Sequence, residues 1–432
     1  MPATCVVGLQ WGDEAKGKIV DLLADDHDYV VRYNGGANAG HTIVWGDRTF
    51  KLSLLPTGIL KPRVRSVIGN GLVIYPPRFL EELEQLQQAG IAVGNNLLLS
   101  EHAHVIFPYH MEEERLAESA SEGSIGTTGR GIGPCYQDKI GRRFGIRVGD
   151  LRSATYLRER LRAIVPIKNR LLSALAFQPD ANPRQFDPDQ LAEEYLGYAE
   201  RMRPFIGDTT HVLLAGLKAG QSILFEAAQG SLLDVDHGTF PYVTSSSSLP
   251  GGIWPGTGVP SRALTRIIGV VKAYTTRVGR GPFPTELHDA TGERIRTIGR
   301  EFGTVTGRPR RVGWFDAVAV RYSATLAGAD EITIMLLDVL SGLPEVKIAT
   351  AYQSPDQSGL LEQFPSDAHQ LERCQPVCET LPGWQEDLTG CRSWSDLPRA
   401  AQRYVERIRE LVGLPVSLVS VGPDREQVIR LT

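Results

Sequence analysis

Short apolar segments rich in β-branched residues alternate along this chain with amphipathic segments. Seven of the apolar segments are typical of buried strands: residues 4–9, 29–33, 66–75, 222–227, 266–274, 331–337 and 416–421. Two amphipathic segments predict helices, and these are residues 76–90 and 315–329. This alternation predicts an α/β fold with a large, mostly parallel central sheet and helices on both faces.

The region between residues 150 and 215 has a different pattern. It is rich in arginine, and its apolar residues recur at helical spacing. The arginines are typical of a solvated helix face rather than of a nucleic-acid surface. We therefore expect a single unit over residues 1–432, with a largely helical inserted subdomain at about 101–205.

Clusters of glycine and polar residues follow directly on the predicted strands. They comprise residues 12–18, 34–42, 227–246, 275–286, Asp338 and 421–425. In an open parallel sheet, ligands bind outside the carboxyl ends of the strands. We therefore expect these clusters to form one composite site at one edge of the sheet.

The segment WGDEAKGKIV contains the phosphate-loop frame G-x-x-x-x-G-K, counted from Gly12. Lys16 and Lys18 add positive charge to a loop whose backbone N–H groups can approach an anion. Ile19 stands where such a loop usually has the hydroxyl that holds magnesium. Asp13 would be repelled by phosphate unless it binds a cation or acts as a base; the alternative is an aspartate that caps the following helix.

Two further positions carry candidate chemistry. In the cluster at 34–42, the main-chain carbonyl of Gly40 can reach a metal, and His41 is a candidate acid, base or charge stabiliser. The alternative for His41 is a structural histidine. Asp338, at the end of a predicted strand, carries two acceptors that match the donor edge of guanine, although aspartates are common at strand ends.

Arginines are concentrated near the end of a glycine-rich segment at 303–311. Arg308, Arg310 and Arg311 would repel one another in a tight loop unless anions bind between them, which predicts carboxylate or phosphate recognition. The alternative is a surface cluster paired with nearby acidic residues.

Composition and charge exclude several classes of protein. The 432 residues have a formal net charge of -4, which does not suggest nucleic acid as the main partner. No apolar run approaches the length of a membrane span, and the first residues lack the basic start of a signal peptide. The five cysteines are too few and too scattered for a disulfide framework, so we expect free thiols and a cytoplasmic location.

Several long motifs, in order along essentially the whole chain, resemble the adenylosuccinate synthetase family: QWGDEAKGKIVDLLA, NAGHT, IGTTGRGIGPCYQDK, FEAAQGSLLDVDHGTFPYVTSS, TRVGRGPFPTEL, TGRPRR, LLDVL and GPDR. The resemblance implies a ligase that converts IMP, L-aspartate and GTP to adenylosuccinate, GDP and phosphate through 6-phosphoryl-IMP. It implies Asp13 as the base and His41 as the acid and charge stabiliser. It also implies Mg²⁺ held by Asp13 and the carbonyl of Gly40, so the residue at Ile19 needs no hydroxyl.

The resemblance implies further contacts, residue by residue. For GTP they are Gly12, Glu14, Ala15, Lys16, Gly17, Lys18, Gly40, Thr42, Arg310, Leu336, Leu337, Asp338, Ser420, Val421 and Gly422. For IMP they are Asp13, Lys16, Asn38, His41, Thr128, Arg142, Gln229, Thr244 and Arg308. For aspartate they are Thr304, Val305, Thr306, Arg308 and Arg310. Arg142 resembles the arginine that reaches the partner subunit's IMP site, which implies a homodimer.

Three positions depart from the family pattern. Ala15 replaces a glycine, which is tolerable unless that residue needs a positive φ. Leu336 stands where a lysine often precedes the guanine-reading pair, and Val305 stands where threonine is frequent. Three other functions stay open: a GTP-dependent switch without a second substrate, a catalytically silent nucleotide-binding paralogue, and a ligase for a different purine nucleotide.

Overall fold

The computed structural model describes residues 3–45, 48–119, 124–176, 182–303 and 307–431. Its strands are β1 (Ala3–Gly8), β2 (Tyr29–Arg32), β3 (His41–Trp45), β4 (Arg48–Leu52), β5 (Arg65–Ile68), β6 (Val73–Ile74), β7 (Leu97–Ser100), β8 (His104–Val105), β9 (Ile206–Gly207), β10 (Ile223–Glu226), β11 (Leu264–Lys272), β12 (Thr275–Arg277), β13 (Arg311–Gly313), β14 (Phe315–Asp316), β15 (Glu331–Met335), β16 (Glu345–Gln353), β17 (Leu360–Leu361), β18 (Gln375–Pro382), β19 (Val416–Ser420) and β20 (Val428–Arg430). Its helices are α1 (Lys16–Ala24), α2 (Pro76–Gln88), α3 (Pro108–Ser119), α4 (Ile132–Gly141), α5 (Ala154–Leu175), α6 (Pro188–Met202), α7 (Thr209–Lys218), α8 (Ile253–Thr257), α9 (Ala290–Ile298), α10 (Ala317–Ala327), α11 (Ala368–Arg373) and α12 (Arg399–Val412).

A ten-stranded sheet forms the centre of the structure, in the order β20-β19-β15-β11-β1-β10-β2-β5-β7-β9. All neighbours in it are parallel except β19 and β20. The mostly parallel α/β fold predicted from the apolar segments is therefore confirmed. The long connections between parallel strands carry the helices.

Both faces of the sheet are buried, because alternate side chains of one strand enter different cores. Cys5 and Val7 of β1 belong to a large cluster that includes residues of α10 and α12. Val6 lies between them in sequence and packs in a separate cluster with Ile19 and Val20 of α1. Helices therefore cover the sheet on both sides, as predicted.

The helices α2, α3, α5 and α6 share a further core beside the sheet. Its centre is aromatic: the rings of Phe107 and Tyr195 stack with their centroids 4.1 Å apart. These helices fall largely within residues 101–205, where we expected a helical insertion, but its boundaries as a subdomain stay a prediction.

One predicted strand is wrong. Residues 66–75 do not form one strand, because β5 ends at Ile68 and β6 begins at Val73, in a separate two-stranded sheet with β8. Between them the chain turns close to other backbone: the N–H of Gly71 donates to the carbonyl of Gly256 at 2.9 Å. A Cβ at Gly71 would lie 1.8 Å from the carbonyl oxygen of Tyr33, so only glycine fits this crossing.

The smaller sheets lie around the central one. The hairpin β3–β4 follows the loop after β2, the pair β12–β13 is antiparallel, and β14, β16, β17 and β18 form a separate sheet. Among the described residues, no helix is both long and apolar enough to cross a membrane.

Candidate active site

A continuous cavity of about 1300 Å³ lies at the carboxyl edge of the central sheet. Its walls include residues that follow β1, β2, β10, β11, β15 and β19, the same strand ends after which the sequence has its polar clusters. Another cavity, of about 640 Å³, lies at the opposite edge and is lined by residues 25–28, 61–64 and Ser222. The candidate chemistry is therefore gathered at one edge, as expected for an open parallel sheet.

Most of the predicted site residues line the large cavity. They are Gly12, Asp13, Ala15, Lys16, Gly17, Lys18, Asn38, Gly40, His41, Thr42, Thr128, Gln229, Thr244, Arg310, Leu336, Asp338, Ser420 and Gly422. Glu14, Leu337 and Val421 are buried behind its wall, and Arg142 and Arg308 are exposed outside it. Thr304, Val305 and Thr306, which were predicted as aspartate contacts, lie outside the described residues.

The loop between β1 and α1 has the backbone of an anion-binding turn. Gly12, Asp13 and Ala15 all have positive φ, at 86°, 59° and 63°. Ala15 is the N-cap of α1, and no side chain caps the helix there, so the alternative role of Asp13 as an N-cap is wrong. The first N–H groups of a helix have no intrahelical acceptor, and its dipole is positive at that end. The loop can therefore bind phosphate oxygens with its backbone.

The charged side chains of this loop bind partly to the protein itself. Glu14 Oε1 accepts hydrogen bonds from the N–H of Gly12 at 2.8 Å and of Gln10 at 3.1 Å. Lys16 Nζ lies 2.6 Å from Glu14 Oε2. Glu14 therefore stabilises the loop from beneath, and its negative charge holds the ammonium of Lys16 at the cavity wall.

Lys18 connects the loop to the C-terminal segment. Its Nζ donates to Ser420 Oγ and to the carbonyl of Gly422, both at 2.8 Å, and to the carbonyl of Gln427 at 3.1 Å. Burial lowers the pKa of Lys18 to about 8, although nearby Asp338 acts to raise it. Lys18 therefore fixes the phosphate loop against the segment that follows β19.

Two glycines of this loop lie close to neighbouring loops. A Cβ on Gly17 would lie 3.3 Å from Cβ of His41, and one on Gly12 would lie 3.6 Å from Cα of Gln229. Gly12 also has a positive φ. The loop after β1 thus packs directly against the loops after β2 and β10, which joins three polar clusters into one site.

His41 is held by a buried glutamate at the end of β10. Its Nδ1 contacts Glu226 Oε1, and Glu226 also accepts from the N–H of Thr57 at 2.8 Å and from its hydroxyl at 2.7 Å. Burial acts to raise the pKa of Glu226, but the charges of His41 and Arg32 and these hydrogen bonds outweigh it and lower that pKa. An ionised Glu226 fixes the orientation of the imidazole, as a carboxylate does in catalytic triads.

Asp13 ends a row of alternating charges. Arg310 Nε lies 2.7 Å from Asp13 Oδ2, and Arg310 Nη1 lies 2.6 Å from Glu301 Oε2. Glu301 in turn lies 2.7 Å from Lys272 Nζ. Burial acts to raise the pKa of Asp13, but Arg310, Lys272 and Lys16 outweigh it and lower that pKa. The carboxylate of Asp13 is therefore ionised at neutral pH and 30% exposed, so a ligand can reach it.

Two amide side chains of the cavity wall each have one buried atom without a hydrogen-bond partner within the described structure. Asn38 Nδ2 donates to Thr244 Oγ1 at 3.4 Å, while Asn38 Oδ1 and Gln229 Nε2 are buried and have no partner. Buried polar atoms usually have partners, because leaving one unsatisfied costs about 1–3 kcal/mol. These atoms line the cavity beside Asp13 and form a polar surface for a ligand.

Asp338 lies at another part of the cavity wall, in the turn after β15. Its Oδ1 is buried without a hydrogen-bond partner among the described residues. Burial is the main cause that raises the pKa of Asp338 to about 6, and the charge of Lys18 opposes it. Leu336, just before this turn, has φ of 59°. The carboxylate therefore presents a buried acceptor to a ligand at this part of the cavity wall.

The charged partners of the site residues were not predicted. Glu226, Lys272 and Glu301 are each almost fully buried. The first two were visible as charged residues within otherwise apolar strand segments, SILFEA and RIIGVVKAY, which is unusual for a buried strand. Glu301 lies in a polar segment and had no comparable signal.

Comparison with known proteins places the chain in a family. A family model described as adenylosuccinate synthetase matches residues 5–429. The chain is 50% identical over 432 residues to the adenylosuccinate synthetase of Heliobacterium modesticaldum, with 100% of this chain and 99% of that protein covered. It is 51% identical over 433 residues to that of Desulforudis audaxviator, with 100% and 98% covered.

A solved structure has the same fold along its whole length. It is the fully ligated adenylosuccinate synthetase from Plasmodium falciparum, which is 36% identical, superposes with a TM-score of 0.93, and is matched over 100% of both chains. The chain therefore belongs to the adenylosuccinate synthetase family of GDP-forming ligases, which join IMP to L-aspartate in purine nucleotide biosynthesis.

Proposed function

We propose that the cavity at the carboxyl edge of the sheet is where GTP, IMP and L-aspartate react to give adenylosuccinate, GDP and phosphate. One observation carries this proposal: a single cavity is lined by the phosphate loop with Asp13, by His41 with its buried carboxylate partner, and by Asp338. A nucleotide triphosphate bound from Asp338 to the loop would bring its terminal phosphate toward Asp13 and His41.

The phosphate loop at one end of the cavity and Asp338 at the other support GTP binding. The loop amides and Lys16 suit the phosphates, and Asp338 suits guanine, whose N1–H and 2-amino group are adjacent donors. Ser420 and Gly422 line the cavity as well, and Lys18 fixes them to the loop. The contacts of Glu14, Leu337 and Val421 would be indirect or through the backbone, because their side chains do not line the cavity.

IMP would occupy the part of the cavity between Asp13 and the unpartnered amides. Asn38 and Gln229 offer hydrogen-bonding atoms that have no partner without a ligand, and Thr128 and Thr244 line the same wall. This arrangement supports the assignment of these residues as IMP contacts. Arg308 is exposed at the end of the nearby loop and would act on a bound substrate from outside.

The chemistry has two steps. In the first, Asp13 takes the proton from N1 of IMP, O6 bonds to the γ-phosphorus of GTP, and the bond from that phosphorus to the β-phosphate oxygen breaks, which releases GDP. In the second, the neutral amine of aspartate bonds to C6 and gives up one proton to solvent, and the C6–O bond breaks, which releases phosphate. His41, oriented by Glu226, would donate a proton or positive charge to the oxygen that carries the developing negative charge.

The residues present fit a magnesium ion. Mg²⁺ is usually held by one or two carboxylates together with substrate phosphates and water, rather than by an all-protein cage. Asp13 offers one ionised, partly exposed carboxylate, and Gly40 lines the same cavity. Bound there, the ion would neutralise charge on the phosphates and help to orient them for transfer.

Aspartate would bind beside the arginines at the end of the 303–311 segment. Arg310 lines the cavity, and its guanidinium suits a carboxylate. Thr304, Val305 and Thr306 are proposed as the remaining contacts, on the resemblance of the sequence alone.

The proposal includes a homodimer in the cytoplasm. Arg142 follows α4, is exposed, and has φ of 64°, a conformation that directs the chain away from the helix. It would bind IMP in the partner subunit.

The test is GTP consumption with product analysis, with Mg²⁺ present and with IMP and aspartate each supplied or withheld. We expect adenylosuccinate and phosphate only when all three substrates are present. Hydrolysis of GTP without IMP and aspartate would instead indicate a switch, and turnover with another purine nucleotide but not with IMP would require a new substrate assignment. Asp13→Ala should leave a folded protein without ligase activity.

A further inference from the structure

Two buried residues of the cavity wall, to which no substrate contact has been assigned, connect the sheet to the segment that carries Arg310. Lys272 is the last residue of β11, and its Nζ donates to Glu301 Oε1 at 2.7 Å and to Thr276 Oγ1 at 2.8 Å. Both side chains of the Lys272–Glu301 pair are 1% exposed. Charges in such a position interact strongly, because little water screens them.

Glu301 and Arg310 are joined twice. The N–H of Arg310 donates to the carbonyl of Glu301 at 2.9 Å, and Arg310 Nη1 donates to Glu301 Oε2 at 2.6 Å. Between Glu301 and Arg310 along the chain, Phe302 and Pro309 form a β-bridge. The N–H of Gly303 also donates to the carbonyl of Arg308 at 2.8 Å. Residues 301–303 and 307–310, the described parts of the 301–310 loop, are therefore held together at its base.

The base of this loop is also fixed to the phosphate-binding side of the cavity. The backbone N–H of Lys272 donates to Gln10 Oε1 at 3.0 Å, and Gln10 lies just before the phosphate loop. Arg310 reaches Asp13 of that loop from the other direction. Glu301 thus lies between two cations, and it sets where the guanidinium of Arg310 is presented.

We infer that Lys272 and Glu301 are positioning residues for aspartate use: they anchor the 301–310 loop and hold Arg310 in the place from which it binds aspartate. This inference rests on the proposed function. Misplacement of a binding group by about 1 Å can cost roughly 100-fold in rate, so loss of the anchor should be visible in kinetics. Most IMP contacts, such as Asn38 and Gln229, come from other loops and only Arg308 comes from this one, so IMP use should be less affected than aspartate use.

The test compares Glu301→Gln, Lys272→Met, the double variant Lys272→Met/Glu301→Gln, and Lys272→Arg. Glu301→Gln leaves the buried Lys272 without its counter-charge, which can prevent folding, whereas in Lys272→Met Glu301 keeps its ion pair with Arg310. The double variant removes both charges of the pair together and keeps similar volumes, so it separates anchoring from folding. Lys61→Met is the matched control, because Lys61 is also buried and paired, at 2.8 Å from Asp25 Oδ2, but does not line the cavity.

We measure the KM for each substrate, kcat and the melting temperature. The expected result for Glu301→Gln and for the double variant is about a 10-fold or larger rise in KM for aspartate and a kcat lowered up to roughly 100-fold, with KM for IMP changed less than about twofold. Lys272→Arg should restore most of the activity, and Lys61→Met should keep it. A folded double variant with an unchanged KM for aspartate, or equal changes in all three KM values, would overturn the inference. Failure of the proposed function is distinct, since the unmodified enzyme would then make no adenylosuccinate.

Discussion

The carboxylate of Asp338 provides a sharp test of the nucleotide assignment. Its Oδ1 is buried and has no hydrogen-bond partner among the described residues, so the unliganded protein leaves a strong acceptor unsatisfied. Guanine would offer two adjacent N–H donors to it. Asp338→Asn keeps the shape of the side chain, but it replaces one acceptor with a donor that would face another donor.

The size of the effect follows from these two hydrogen bonds. A hydrogen bond to a charged group contributes about 1.5–3 kcal/mol. Loss of one bond, repulsion between the two donors at that position and weakening of the remaining bond by loss of the charge should together cost about 3–4 kcal/mol, which lowers kcat/KM for GTP roughly 10²- to 10³-fold. We expect kcat at saturating GTP to change much less, because Asp338 lies away from the atoms that react.

The assay compares GTP, ITP and XTP as the phosphoryl donor. ITP lacks the 2-amino group, so the unmodified enzyme should prefer GTP, and Asp338→Asn should lose most of that preference. XTP carries a carbonyl at the same position, and an asparagine amide can donate to it, so relative use of XTP should rise. Asp387→Asn is the control, since Asp387 also acts on the pKa of Asp338 but only through its charge. Unchanged kcat/KM for GTP and an unchanged donor preference in folded Asp338→Asn would refute the assignment.

The same carboxylate predicts a pH dependence. Burial raises the pKa of Asp338 from its ordinary value of 3.8 to about 6, with Asp387 adding to this and Lys18 opposing it. The protonated form offers guanine one acceptor fewer, so kcat/KM for GTP should fall as pH drops below about 6, by up to tenfold per pH unit. Protonation of Asp338 has the opposite effect on the free energy of unfolding. Because the pKa is raised in the folded protein, the stability that it contributes is complete below pH 3.8 and is lost as pH rises through about 6. Asp338→Asn should lack this GTP-specific step.

Three further predictions concern other parts of the site. Ala15→Gly should raise the free energy of unfolding by about 0.5–1 kcal/mol in denaturant titrations. Ala15 has φ of 63°, and the cost of this left-handed conformation for alanine exceeds the entropy that glycine adds to the unfolded state. A loss of stability would contradict this. Glu226→Gln should lower kcat by roughly 100-fold with a folded protein, since His41 loses its orienting charge; near-normal kcat would show that the pair is only structural. Arg142→Leu should raise the KM for IMP, and mixing it with Asp13→Ala should restore some activity in verified mixed dimers; absence of rescue would count against a shared site.

The order of elements was largely predictable because buried parallel strands have a simple pattern. Each of the seven predicted strand segments covers one strand of the central sheet, six of them cover no other strand, and the polar clusters after them gather at one edge. The failure at 66–75 has a clear cause. Its apolar residues continue past Gly69 and Gly71, and only the close approach of Tyr33 and Gly256 shows that the chain must turn there.

The support of the site was harder to predict, because it depends on pairs far apart in sequence. His41 and Glu226 are separated by 185 residues, and Lys272 and Glu301 by 29. A sequence pattern marks which residue types follow a strand, but it does not show which buried acid meets which base. The contacts of Lys18 with the hydroxyl of Ser420 and the carbonyl of Gly422 also join residues far apart in sequence, so they were not predictable either.

Backbone strain is concentrated at the cavity, and this bears on how the site is maintained. Among the described residues, six non-glycine residues have positive φ, and five of them line the cavity: Asp13, Ala15, Gln229, Arg300 and Leu336; the sixth, Arg142, lies outside it. Each such conformation costs of order 1–3 kcal/mol and persists only where surrounding contacts hold it.

Those contacts are the buried charged groups that tie the loops together: Glu14 beneath the phosphate loop, Lys18 toward the C-terminal segment, and Glu301 between Lys272 and Arg310. The strain and the buried charges are therefore linked. Because these contacts hold the strained loops in place, backbone N–H groups and carboxylates are in position before any substrate binds. Less of the site therefore has to be reorganised during phosphoryl transfer. Relief of strain at one position, as in Ala15→Gly, should accordingly increase stability without improving kcat, because the remaining contacts already fix the loop.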